Sequence, residues 1–323
     1  MTRGSLILLI ASIVVIVGGA HAFLTYSDDI NRARTAIRIG SRIENTAAGQ
    51  IEYAETGSGV PLLSIHGSGG GYDQGLAIAA DLIGDGFRVI APSRFGYLGT
   101  PLPSDVSPSA QADAHAVLLA ALKIDKAIVV GTSAGALSAI ELALRHPDRV
   151  AALILIVPAS YAPTSPVDIE ASRGSRFAFW LVNAGADLAW WATEKIAPSM
   201  LIRFIGVPPE LLATASPVQR DRAMRTVRMI QPLSERFAGI NIDSKPVRDR
   251  PPFERIKAPT LVISARDDLF NTLPAAEFTA ASIPDAELVV YDKGGHLLVG
   301  REGEVRSKIA SFLAHAGVKS TLQ

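Results

Sequence analysis

The sequence predicts an α/β fold: a mostly parallel, eight-stranded sheet flanked by helices, with a helical cap inserted late in the chain. Three observations carry this expectation. From about residue 42, short β-branched runs alternate with helical patterns, the rhythm of strand–helix units in a parallel sheet. The run 153–157 is apolar at every position, as in a central strand covered on both faces. The rhythm then stops between 159 and 257, a stretch too long for a structureless loop and rich in helical patterning.

The elements follow in chain order. Residues 5–24 (SLILLIASIVVIVGGAHAFL) carry no charge and, as a helix, would span roughly 30 Å, the thickness of a hydrocarbon core. Two readings compete. Arg3, the apolar block Leu6–Val17 and Ala20-His21-Ala22 fit a signal peptide cleaved after Ala22. The alternative, which we carry forward, is a retained single-pass anchor. Arg32, Arg34, Arg38 and Arg42 outnumber Arg3 and the terminal amine, which would keep the body cytoplasmic and oppose export. Residues 25–41 read as a charged linker.

Strands are expected at 42–46, 50–55, 61–65 (PLLSI), 87–91 (FRVIA), 126–130 (KAIVV), 150–157 (VAALILIV), 260–264 (TLVIS) and 286–291 (AELVVY), each a short run of β-formers. Helical periodicity places helices at 74–83, 108–122, 134–145, 272–282 and 301–315. The domain division that results is 1–24 anchor or signal, 25–41 linker, 42–158 with 258–316 core, and 159–257 cap. Within the cap, helical runs fall at 175–196 and 217–230. Phe177, Phe179, Trp180, Trp190, Trp191 and Phe204 cluster there, either packing the cap onto the sheet or lining an apolar pocket.

Composition narrows the function. The chain of 323 residues balances 31 basic against 31 acidic side chains, which argues against a nucleic-acid partner. With no cysteine there is no disulfide, zinc–thiolate site or thiol nucleophile. The glycine-rich run His66–Gly71 fits no G-x-G-x-x-G register and no G-K-[ST] follows, so neither a nucleotide nor any other cofactor is expected. The oligomeric state is left open.

The chemical signal is Gly131-Thr132-Ser133-Ala134-Gly135, between the 126–130 strand and a helical pattern. A serine on a sharp strand-to-helix turn projects its hydroxyl above the sheet, and the flanking glycines let the two backbones meet. The Ala134 amide opens the helix, where free N–H groups and the helix dipole favour a developing oxyanion. Among six histidines, His296 lies on a loop at a strand's C-terminal edge; His115 and His315 fall on helical patterns, His146 beside a proline and His21 in the N-terminal segment. Asp267 and Asp268 precede it as candidate acids.

On these residues the sequence resembles the α/β-hydrolase fold superfamily over about 42–158 and 258–316, with 159–257 as the variable cap. His66-Gly67 after the 61–65 strand, the run His146-Pro147-Asp148-Arg149-Val150, and Gly294-Gly295-His296 after the last strand strengthen the likeness. The resemblance implies a Ser-His-Asp triad in the chain order Ser133, Asp268, His296, with the acid three residues after Ala265 selecting Asp268 over Asp267. It implies backbone N–H groups of Ala134 and Ser68 as the oxyanion hole, Gly69 being the alternative to Ser68. It also implies that His66 supports the oxyanion loop. Asp73, Arg94 and Tyr97 near this face read as structural. A serine nucleophile excludes the dehalogenase and epoxide hydrolase branches, which use aspartate. Hydrolysis of carboxylic esters of small lipophilic or aromatic molecules is the leading expectation. C–C bond hydrolysis, acyl transfer and perhydrolase or haloperoxidase chemistry are the alternatives, followed by non-catalytic ligand binding.

Overall fold

The computed structural model describes residues 3–164 and 187–318. An N-terminal helix, α1 (Arg3–Ile39), leads into the sheet strands β1 (Arg42–Thr46), β2 (Gly49–Thr56), β3 (Val60–Ile65), β4 (Phe87–Pro92), β5 (Ala127–Thr132), β6 (Val150–Ile156), β7 (Thr260–Ala265) and β8 (Glu287–Tyr291). The sheet order is β1-β2-β4-β3-β5-β6-β7-β8, antiparallel at β1–β2 and β2–β4 and parallel elsewhere. Helices α2 (Tyr72–Ile78), α3 (Pro108–Ala121), α4 (Gly135–Arg145), α10 (Leu273–Ser282) and α11 (Glu302–His315) cover its two faces. The expected 74–83 helix is α2 followed by a π turn, Ala79–Ile83.

The uniform apolarity of the central strands follows from their burial on both sides. Successive side chains of a strand point to opposite faces. Leu63, Val129 and Leu153 therefore join one core with α3, α4 and α10, while Leu62, Ile128, Val130 and Ile154 join the other with the π turn and α11.

The cap contains α5 (Asp187–Ile196), α6 (Pro198–Phe204), α7 (Pro209–Thr214), α8 (Pro217–Met229) and α9 (Phe237–Asp243). Helix α8 starts where the sequence supplies its caps. The Ser216 hydroxyl accepts from the Gln219 amide, the Gln219 side chain accepts from the Ser216 amide, and Pro217 occupies the first helical position. The cap has its own core: Trp190 is fully buried with Ile202, Val227 and Leu233, donates Nε1–H to the Val227 carbonyl at 3.2 Å, and meets the Phe204 ring edge-on. Phe177, Phe179 and Trp180, with the 175–186 part of the expected helix, lie outside the described residues.

Residues 25–41 are not a linker. Helix α1 continues to Ile39 because Tyr26, Ile30, Arg34 and Ile37, spaced three or four apart, form one stripe that packs on the body. Ile30 and Ile37 are buried, the Tyr26 and Trp191 rings meet edge-on, and Trp191 Nε1–H donates to Asp29 at 2.8 Å. Arg34 pairs with Asp187 at 3.3 Å. The Tyr72 hydroxyl donates to the Ile37 carbonyl at 3.1 Å, and the Ser41 hydroxyl to Glu52 at 2.8 Å. Residues 6–24 of the same helix are, by contrast, exposed throughout.

His66 and His115 are fully buried. Burial and the Arg94 charge push His115 down to about 3 and His66 well below its ordinary value. The unfolded chain takes up protons near 6.5 that the folded chain refuses, so stability is lost as pH falls from 6.5 toward 3. Each such histidine contributes a slope of about 1.4 kcal/mol per pH unit in that window. Denaturant unfolding between about pH 6.5 and 4.5 should therefore show a shallower slope in a His115→Gln variant. An unchanged slope contradicts this account of His115.

Candidate active site

The turn between β5 and α4 holds Ser133 at φ 52°, a left-handed conformation that a side chain rarely adopts. Its neighbours explain why the turn must be glycine-flanked. A Cβ on Gly131 would lie 2.6 Å from Ala139 Cβ, and one on Gly135 would lie 2.4 Å from the His66 carbonyl oxygen. The strained residue is fastened on both sides. Ser133 N–H donates to the Ile156 carbonyl at 2.9 Å, and the Ser133 carbonyl accepts from Ala136 and Ala159 amides, both at 3.0 Å. Among the described residues, the Ala134 N–H at the mouth of α4 has no partner.

His296 and Asp268 meet beyond the C-terminal ends of β7 and β8. The His296 Nδ1 lies 2.8 Å from Asp268 Oδ2, and both side chains are buried. The carboxylate also accepts from the Phe270 amide at 2.9 Å and from the Thr272 hydroxyl. An acceptor-only carboxylate requires Nδ1 to carry the proton, which leaves Nε2 as the free, basic nitrogen. Phe270 stacks edge-on against the imidazole, ring centroids 4.6 Å apart. Asp267 is turned elsewhere: it accepts the Gly295 amide at 2.7 Å and so holds the loop that carries His296.

The loop after β3 faces Ser133. His66 is fully buried, its Nε2 accepting the Arg94 amide at 2.9 Å and its Nδ1–H donating to the Gly67 carbonyl at 2.6 Å. The Gly67 amide donates to the Gln74 side chain at 2.9 Å. The Gly69 amide donates to the Tyr97 hydroxyl at 3.3 Å, whereas the Ser68 amide has no partner among the described residues. Gly67, Ser68, Gly69, Ser133, Ala134 and His296 all line one cavity. Its walls include Leu137, Ile156, Ile205, Met229 and Ile230, with Asp81, Arg222 and Lys245 among its charged lining. Phe204 also lines it, so of the cap aromatics Trp190 packs the cap, Trp191 meets α1 and Phe204 reaches the cavity.

The remaining sequence candidates go elsewhere. His146 pairs with Asp113 at 2.7 Å, and His115 sits in the core beside Ser138. Sequence reasoning missed Thr272, Gln74 and Gly206. The first two are ordinary polar residues whose only signal is the partner they reach in space. Gly206 sits in the cap, and its carbonyl accepts both the His296 amide at 3.0 Å and the Leu269 amide at 3.1 Å. A Cβ there would lie 2.6 Å from His296 Cβ and 2.8 Å from the Phe270 ring. Gly206→Ala should therefore displace the imidazole and lower kcat about tenfold or more while the sheet stays folded. Full activity in this variant would remove Gly206 from the site.

The comparisons with known proteins agree with this architecture. The family model described as alpha/beta hydrolase fold matches residues 60–300. A 2-hydroxymuconate semialdehyde hydrolase of Pseudomonas putida is 29% identical over 302 residues, covering 89% of this chain and 98% of its own. Among solved structures, an alpha/beta hydrolase fold protein from Nakamurella multipartita is 32% identical, with TM-score 0.67 over 86% of this chain and 99% of its own. A thermophilic esterase from Thermogutta terrifontis is 25% identical, with TM-score 0.64 over 85% of this chain and 98% of its own. With a family match that spans most of the sheet, from β3 past β8, and hydrolases among its relatives, the chain belongs to the alpha/beta hydrolase fold family and is a hydrolase.

Proposed function

We propose that the protein hydrolyses carboxylic esters of small lipophilic or aromatic molecules through Ser133, His296 and Asp268. The observation that carries this reading is the Asp268–His296 contact at 2.8 Å, which leaves Nε2 as the unprotonated nitrogen of a residue lining the same cavity as the strained Ser133. Ser133 attacks the carbonyl carbon while His296 Nε2 takes its proton. The Ser68 and Ala134 amides receive the oxyanion. His296 then protonates the leaving alcohol, and water, activated by the same nitrogen, releases the acid. Asp268 keeps the productive tautomer and stabilises the imidazolium without accepting the proton. The apolar walls favour a lipophilic acyl or aromatic group.

C–C bond hydrolysis is the second reading, favoured by the 2-hydroxymuconate semialdehyde hydrolase relative. It would use the same serine, base and oxyanion donors on a ketone rather than an ester. A panel of chromogenic esters of graded chain length, with a 6-oxo-dienoate ketone beside them, separates the two. Ester turnover rising with chain length supports the first; turnover of the ketone alone overturns it. Ser133→Ala should lower kcat about 10⁴-fold on whichever substrate is used. Phosphonylation of Ser133 by a fluorophosphonate probe distinguishes an enzyme from a ligand-binding protein of the same fold.

The exposed apolar half of α1 supports a retained membrane anchor. The helix is 37 residues long and runs without a break from this half into the half that packs on the cap. Cleavage after Ala22 would sever it mid-course. Protein isolated from membranes should therefore resist alkaline extraction and begin before residue 5; an N-terminus at Phe23 overturns the anchor.

A further inference from the structure

We propose that Tyr97, held by cap helix α9, is a positioning residue that sets the oxyanion loop, so that the hole is complete only while the cap is seated. The inference rests on the serine-hydrolase reading above.

Helix α9 grips the neighbourhood of the loop at both ends. At its start, Arg236, fully buried, forms a two-pronged pair with Asp73 at 2.7 and 3.1 Å, next to the Gln74 that holds the Gly67 amide. At its end, Asp243 pairs with Arg94 (Nη1–Oδ1 2.8 Å), and Arg94 also donates to the Gly67 carbonyl at 3.2 Å. The Tyr97 hydroxyl donates its single proton to Asp243. Burial and that carboxylate push the phenol upward, so the proton stays.

This fixes the polarity of every other contact. With its proton committed, the Tyr97 oxygen can only accept, taking the Gly69 amide at 3.3 Å and facing the Ser68 hydroxyl at 3.4 Å. Gly69 is thereby removed from the choice of oxyanion donors, and Ser68 N–H is left as the free one. The loop carries Gly69 at φ +74°, a left-handed conformation that glycine adopts without strain, so the turn itself leaves the Gly69 amide free to meet the Tyr97 oxygen. Tyr97 in turn depends on the cap: a Cβ on Gly239 of α9 would lie 2.1 Å from its ring, and the Gly96 carbonyl accepts the Gly239 amide at 2.9 Å. No other described side chain bonds the Gly69 amide.

The test is Tyr97→Phe, which removes one hydroxyl and keeps the ring. We expect kcat to fall about 10- to 100-fold with KM within about threefold, since an oxyanion contact acts on the transition state alone. Affinity for a trifluoromethyl ketone, which forms a tetrahedral adduct on Ser133, should fall by the same factor, while affinity for the planar product acid should not. Asp243→Asn, which weakens the same hold from the cap side, should shift the ratio of the two affinities in the same direction even if it costs stability. Active-site titration with a fluorophosphonate corrects each value for misfolded protein. Unchanged kcat, a loss confined to KM, or loss of adduct and acid affinity in equal proportion overturns the proposal while leaving the serine-hydrolase reading intact. A wild-type protein that neither turns over substrate nor is phosphonylated overturns both.

Discussion

The site depends on one close approach of backbones. The carbonyls of Ile65 and His66, where β3 ends, lie so near the start of α4 that a Cβ on Gly135 would fall 2.7 and 2.4 Å from them. Only a residue without a side chain permits that contact, and the contact sets the distance between the loop after β3 and the elbow after β5. A serine in a left-handed turn, a free amide at a helix mouth and a second free amide on the facing loop follow from it. Strain at Ser133 is tolerated because three backbone hydrogen bonds from β6, α4 and the chain after β6 hold the residue.

Around this contact the protein pairs its buried charges. Asp268 satisfies an imidazole, a hydroxyl and an amide. Arg94 and Asp243 neutralise each other while each also reaches the loop after β3, directly or through Tyr97. Arg236 pairs with Asp73, whose carboxylate also accepts the Gln74 amide. Buried pairs of this kind are weak sources of net stability, since desolvation offsets much of their attraction. Their value here is directional: each fixes one orientation of a loop that hydrophobic packing alone would leave free to slide. The two core clusters on either face of the sheet provide the bulk of the burial, and the polar network decides where the loop ends point.

The cap and α1 form one continuous attachment. The cap contributes Gly206 to the His296 loop and α9 to the surroundings of the loop after β3, while α1 packs against α5 through Trp191 and Asp187 and touches α2 through Tyr72. Any anchoring of residues 5–24 would therefore orient the cap as well as tether the body.

Much was legible in the sequence because it was local. Strand positions came from apolar runs, the elbow from two glycines around Ser133, and His296 from its place after the last strand. The acid was narrowed to Asp267 and Asp268 but not chosen on local grounds, since neighbouring residues on one loop differ only in where they point. Residues 25–41 pose the same kind of problem. Their charges look like those of a linker until Trp191 and Tyr72, distant in sequence, supply the surface on which one stripe of the helix packs. The sequence by itself determined the alternation of strands and helices and the glycine-flanked turn at Ser133, because backbone sterics and burial period are written within a few residues. Only the tertiary structure decided that Asp268 faces the imidazole, that Gly69 is occupied by Tyr97 and that a cap glycine carries the His296 amide. Each of those depends on a hydrogen bond between segments distant in sequence, which meet only once the strands, and for Gly206 the cap, have packed.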